Sequence, residues 1–213
     1  MAFHRAPLPR LIYRISWGAD PLAYGPLAIL KAGRPGRWDD LKYRFRTGYF
    51  ADSLVTCFVE VLADLRPDPK TVARLCAMGE PLPNMDVAIE ESLRPRYASI
   101  VITQEDLIVD IVHPISRTEF EVLTHRTNRV KVGDFLARDL RIPRRAAGVA
   151  HDRGEAGIRA PSAEALAVNG ETFNLFETTV GSGQARVALV PHVVRSAAEQ
   201  EIDLATARVL LGI

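Results

Sequence analysis

Leu11-Ile12-Tyr13-Arg14-Ile15-Ser16-Trp17, then Tyr49-Phe50-Ala51-Asp52-Ser53 running into Cys57-Phe58-Val59-Glu60-Val61, is the stretch whose reading decides the fold. The first segment is rich in β-branched and aromatic residues and reads as a strand. Arg44 to Ala51 alternates well enough for a second strand. Ser53 is a helix N-cap, and the helix it opens runs to about Arg66, ahead of Pro67 and Pro69. Leu54, Phe58, Val61, Leu62 and Leu65 recur at helical spacing, so that face is core. The loop between the strands is punctuated by Pro21, Gly25, Pro26, Gly33, Pro35 and Gly36.

Outward from this unit, Lys70 to Met78 reads as a short helix. Ser99–Thr103 and Leu107–Val112 read as strands joined by the polar turn Gln104-Glu105-Asp106, with Thr118–Thr124 as a third. Val132–Leu140 and Arg144–Arg153 are expected to be helical, interrupted at Pro143. Phe173–Thr178 and Ala185–Val190 form a strand pair around Gly181-Ser182-Gly183, and Ser196–Leu211 is helical. Strands at both ends with helices between predict a mixed α+β fold in a single domain spanning 1–213, with room for an inserted subregion at about 79–132.

The bulk numbers exclude more than they assign. Of 213 residues, 47% are hydrophobic and 25% charged, which is ordinary globular composition. The net charge of +1 gives no global electrostatic case for nucleic acid or an acidic membrane. Cys57 and Cys76 sit in apolar helical patterns and form neither a disulfide framework nor a metal site. Met1–Arg14 lacks the apolar core of a signal peptide, and no apolar run is long enough to span a bilayer, so a cytoplasmic chain is expected. Nucleotide-binding and hydrolase motifs are absent, and the five histidines are scattered without ligand spacing.

Tyr13-Arg14, Pro35-Gly36-Arg37-Trp38-Asp39, Tyr49-Phe50-Ala51-Asp52-Ser53 and Cys57 to Val61 together resemble the signature half of the RES domain, known from toxins of RES–Xre toxin–antitoxin pairs. Gly157-Ile158-Arg159-Ala160-Pro161-Ser162-Ala163 is similar to a further family segment, and Asn174-Leu175-Phe176 to the strand after it. Two departures stand out. Pro35 replaces a loop glycine, and Asp39 stands where the family carries asparagine. A carboxylate beside a phosphate site is unfavourable unless it points away.

The resemblance implies a fold similar to the ADP-ribosyltransferases, a mixed or antiparallel sheet with surrounding helices. It implies an enzyme that takes NAD+ as substrate, with no separate cofactor and no metal, and breaks the nicotinamide–ribose bond by hydrolysis, phosphorolysis or ADP-ribosyl transfer. Cleavage passes through an oxocarbenium-like sugar, whose charge a carboxylate, here Glu60, stabilises. Arg14 and Arg37 are expected to hold the pyrophosphate, with Arg37 counted beside Glu60 as catalytic, Tyr49 to stack on the nicotinamide, and Ser162 to contact the substrate. The implied partner is an Xre-type helix-turn-helix antitoxin, without direct contact to nucleic acid or membrane, and a homo-oligomer is left open. Each residue has an ordinary alternative: Glu60 on a polar helix face, Arg14 in an ion pair, Tyr49 in the core, Arg37-Trp38 in a packed turn, Ser162 as an N-cap. A catalytically silent RES-like nucleotide-binding or structural module is the competing reading.

Overall fold

The computed structural model describes residues 2–25, 35–81, 84–104, 106–177 and 187–213. Among them runs a mixed sheet of eight strands in the order β1-β5-β6-β7-β3-β2-β4-β8. The strands are β1 (Arg5–Pro7), β2 (Leu11–Ser16), β3 (Thr47–Ala51), β4 (Tyr97–Thr103), β5 (Leu107–Asp110), β6 (Gly157–Pro161), β7 (Glu171–Phe176) and β8 (Leu189–Ser196). All neighbours are antiparallel except β5 and β6. The α+β reading therefore holds, with helices α1 (Leu54–Leu62), α2 (Pro69–Met78), α3 (Asp86–Leu93), α4 (Pro114–Leu123), α5 (Val132–Leu136), α6 (Arg141–Asp152) and α7 (Glu201–Leu211). None of the described helices is long and apolar enough to cross a membrane.

Local chemistry explains the helices around β3. Ser53 has extended backbone and its side chain accepts from the N–H of Thr56, so α1 starts where the cap requires. Phe58, Val59 and Leu62 on α1 bury against Ala207 and Leu211 of α7 and Leu93 of α3. Three more helices, α4 to α6, close a second core around Phe120, Phe135 and Trp38. A third cluster, with Ile12, Phe50 and Phe173, fills the other side of the central strands.

Several expectations are corrected. Thr118–Leu123 is the last part of α4 and Thr124 its C-cap, not a strand. Alternation would bury Phe120 and Val122 together, whereas Phe120 is fully buried and Val122 is 53% exposed, and His113 with Pro114 supplies a helix start. Helix α6 runs through Pro143, which lies in the first turn, where the missing N–H has no intrahelical acceptor to lose. The strands joined by the turn at 104–106 are not sheet neighbours, and the strand pair expected around Gly181-Ser182-Gly183 does not form. β4 lies between β2 and β8 while β5 lies between β1 and β6, and β7 pairs with β6 and β3 while β8 is the edge strand beside β4. The Gly181-Ser182-Gly183 turn and Glu105 fall outside the described residues, as does most of the loop before Pro35. The segment 79–132 supplies β4 and β5 to the sheet, and the short helix α3 was not anticipated in it.

Candidate functional site

The turn Gly36–Asp39 is fastened to β3. Asp39 Oδ2 accepts the N–H of Gly36 at 2.5 Å, and the Asp39 carboxylate accepts the hydroxyl of Tyr49. The N–H of Trp38 donates to Tyr49 Oη at 3.1 Å, and Thr47 Oγ1 donates to the Trp38 carbonyl at 2.9 Å. A side chain at position 36 would collide with the Tyr49 hydroxyl, which is why the loop has glycine there. Burial raises the Asp39 carboxyl pKa, and burial together with the Asp39 charge raises that of the Tyr49 phenol. Asp39 thus directs Oδ2 into its own loop, although the residue still lines the cavity beside that loop.

Beside this turn opens a cavity of about 700 Å³ between the C-terminal end of β2 and the start of β3. That is within the range of small-molecule sites. Arg14 and Tyr49 both line it, together with Arg46, Arg96, Trp17 and Tyr24. Arg14 donates to the carbonyls of Pro21 at 2.6 Å and Ala23 at 2.9 Å, and its guanidinium lies 5.1 Å from the Phe50 ring centroid. Burial lowers its pKa. Arg96 sits 4.0 Å over the Trp17 ring, and Trp17 is 67% exposed. Arg46 pairs with Glu177 and lies over Tyr24. The wall therefore sets guanidinium groups and ring faces, the features a dinucleotide's phosphates and bases need, beside the carboxylates of Asp20 and Asp39.

A second cluster lies at the other end of β3. There α1 packs on the turn before β7 so closely that a Cβ on Gly170 would meet Thr56 Oγ1 at 2.6 Å. This contact brings Ser162, at the end of β6, up to Glu60: Ser162 Oγ donates to Glu60 Oε1 and accepts the N–H of Ala165 at 2.8 Å. The N–H of Glu164 points at the same carboxylate oxygen at 3.5 Å. Ser162 is fully buried, whereas Glu60 is exposed.

The proposed residues thus fall into two groups and one outlier. Arg14 and Tyr49 share the cavity, and Glu60 and Ser162 share a hydrogen bond across 102 positions of sequence. Arg37 points elsewhere, donating to the carbonyls of Phe135 at 3.0 Å and Ala137 at 2.6 Å. Arg37, Glu60 and Ser162 are not among the residues lining the 700 Å³ cavity. Trp17, Tyr24, Arg46 and Arg96 are lining residues that escaped the sequence reading. Trp17 ends the first signature segment and was readable as a neighbour of Arg14. Arg96 reaches the cavity only because Tyr97 pairs with Ser16, a register no local pattern reveals.

Comparison with known proteins agrees with this architecture. A chain in the crystal structure of the M. tuberculosis MbcT–MbcA toxin–antitoxin complex superposes with a TM-score of 0.57 at 18% identity, over 94% of this chain and 92% of that one. That likeness concerns the fold. No curated protein matches in sequence. The RES domain family matches residues 7–194, nearly the full length, and the chain therefore belongs to the RES domain family.

Proposed function

We propose that the protein is an NAD+-consuming enzyme that breaks the nicotinamide–ribose bond. The observation that carries this reading is the Glu60–Ser162 pair: two residues chosen from separate signature segments meet at one end of the strand whose middle residue, Tyr49, faces the arginine-bearing cavity. Arg14, with Arg46 and Arg96, attracts the pyrophosphate. Tyr49 and Trp17 offer ring faces to the bases. Glu60, with one oxygen held by Ser162, presents its carboxylate to the ribose as positive charge develops there. Water, phosphate or a protein side chain then takes the ADP-ribosyl group.

The test is direct. Purified protein is incubated with NAD+, and nicotinamide is followed by chromatography. ADP-ribose, its 1″-phosphate, or label transferred to protein identifies the acceptor. No nicotinamide from folded protein that binds NAD+ would defeat the enzymatic reading. The binding-only module is favoured by one observation, that Arg14 and Arg37 both direct N–H groups at backbone carbonyls, and NAD+ binding without turnover is its signature.

We further propose that the chain is a toxin neutralised by an Xre-type antitoxin. Family membership and the toxin–antitoxin setting of the similar fold support this. Growth arrest on expression, relieved by co-expressing a neighbouring helix-turn-helix protein, is the expected outcome. Normal growth with soluble, folded chain argues against it.

A further inference from the structure

The face built by α5, α6 and the turn before them carries charge that the rest of the chain does not. Residues 124–145 hold seven arginines and lysines against Asp134 and Asp139, in a chain whose net charge is only +1. Two adjoining depressions open there. One, about 550 Å³, is lined by Leu41, Arg126, Asp139, Arg141, Ile142 and Arg145. The other, about 370 Å³, shares Leu41 and Arg145 and continues past Arg44, Arg144 and Val149. Neither shares a lining residue with the cavity that holds Arg14 and Tyr49.

The lining alternates guanidinium groups with aliphatic side chains. Leu41 is 41% exposed at the junction of the two depressions. Arg141 has an 84% exposed side chain and grips Asp139 with two nitrogens, Nε at 3.0 Å and Nη2 at 2.7 Å. Arg126 makes no side-chain hydrogen bond among the described residues. Arg145 makes one, to the Thr124 carbonyl at 3.2 Å. Most of their donors therefore face solvent, and the Arg141–Asp139 fork shows carboxylate recognition already operating on this surface.

We infer that this furrow docks an acidic, aliphatic segment of a partner protein. The chemistry favours a peptide over a nucleic acid. No aromatic ring lines either depression, so bases find no stacking platform. Asp40, Asp139 and Asp152 also line the furrow, and they repel a continuous phosphodiester chain, whereas a peptide spaces its carboxylates. Leu41 and Ile142 give no advantage to a sugar–phosphate backbone but cover the aliphatic side chains of a bound segment.

A fluorescein-labelled peptide of mixed glutamate and leucine is the probe, followed by anisotropy with the full chain. It is expected to bind, to weaken as salt rises, and to lose binding when its glutamates become glutamines. Arg141→Glu combined with Arg145→Glu should weaken binding by about tenfold or more while nicotinamide release stays unchanged, so this result stands apart from the enzymatic reading. Leu41→Ser leaves the charge intact and should weaken binding severalfold. Failure of the peptide to bind wild-type protein, equal binding by the folded charge-reversed variant, or tighter binding of a labelled single-stranded oligonucleotide would each overturn the inference.

Discussion

The two ends of β3 differ in how their polar groups are held, and on the proposed function they do different work. At its start, polar groups are saturated: Tyr49, Asp39, Gly36, Trp38 and Thr47 bond to one another, and Arg14 is held by two carbonyls. Such a wall is rigid and presents fixed charge. At its end, a single carboxylate stands exposed, one oxygen anchored by the hydroxyl of buried Ser162. Binding tolerates groups locked in place before the ligand arrives, because uniform attraction needs only position. Chemistry needs a group whose interaction grows in the transition state.

The largest effect should come from the exposed end. Glu60→Gln keeps the size and an acceptor for Ser162 but removes the charge. Nicotinamide release should fall about a hundredfold, with NAD+ affinity nearly unchanged. Full activity in a folded variant would remove Glu60 from the mechanism and leave only the binding wall. Arg14→Ala should act on both properties. It leaves the Pro21 and Ala23 carbonyls without their donor, lowering stability by about 2 kcal/mol, and weakens NAD+ binding by roughly tenfold. If calorimetry shows unchanged affinity, the cavity is not the substrate's.

Ser162→Ala tests the link between the ends. It removes the Glu60 bond and the acceptor for Ala165 N–H, so a loss of about 1 kcal/mol in stability is expected, with turnover falling more than affinity. Arg37→Ala is expected to cost about 1 kcal/mol through the lost carbonyl bonds and to leave NAD+ affinity alone. Weakened affinity would show that Arg37 turns toward substrate when it binds. Asp39→Asn should have an effect of similar size that depends on pH. Burial raises the folded-state pKa of Asp39 above its unfolded value, so the folded chain holds the proton more tightly, and stability rises as pH falls through the folded pKa. The asparagine variant should be more stable at neutral pH by on the order of 1 kcal/mol, with the difference vanishing in acid. Parallel stability curves for the two proteins would refute this account of Asp39.

Legibility followed the range of the interaction. The unit from Leu11 to Arg66 was readable because its signals are local: β-branched runs, the Ser53 cap and apolar spacing on α1. The middle was misread where one short pattern fits two structures. Alternation at Thr118–Thr124 imitated a strand, and only the packing of Phe120 against Phe135 inside the helical core shows which side chain is buried. Proximity in sequence misled the strand pairing in the same way, since β7 pairs with β6 and β3 while the strand that follows it, β8, lies at the edge beside β4.

The sequence by itself determined the α+β class, the first strands and helix, the family resemblance, and the identity of Glu60, Ser162, Arg14 and Tyr49 as residues worth locating. Tertiary structure decided which of them meet. Gly170 lets α1 approach the turn that carries Ser162, and the Tyr97–Ser16 register carries Arg96 to the cavity. It also decided that Arg37 turns to the carbonyls after α5 begins and that Asp39 turns inward. The reason is physical: capping, spacing and propensity act over a few residues, whereas strand partners and guanidinium acceptors are selected by burial and hydrogen-bond satisfaction summed over the whole fold.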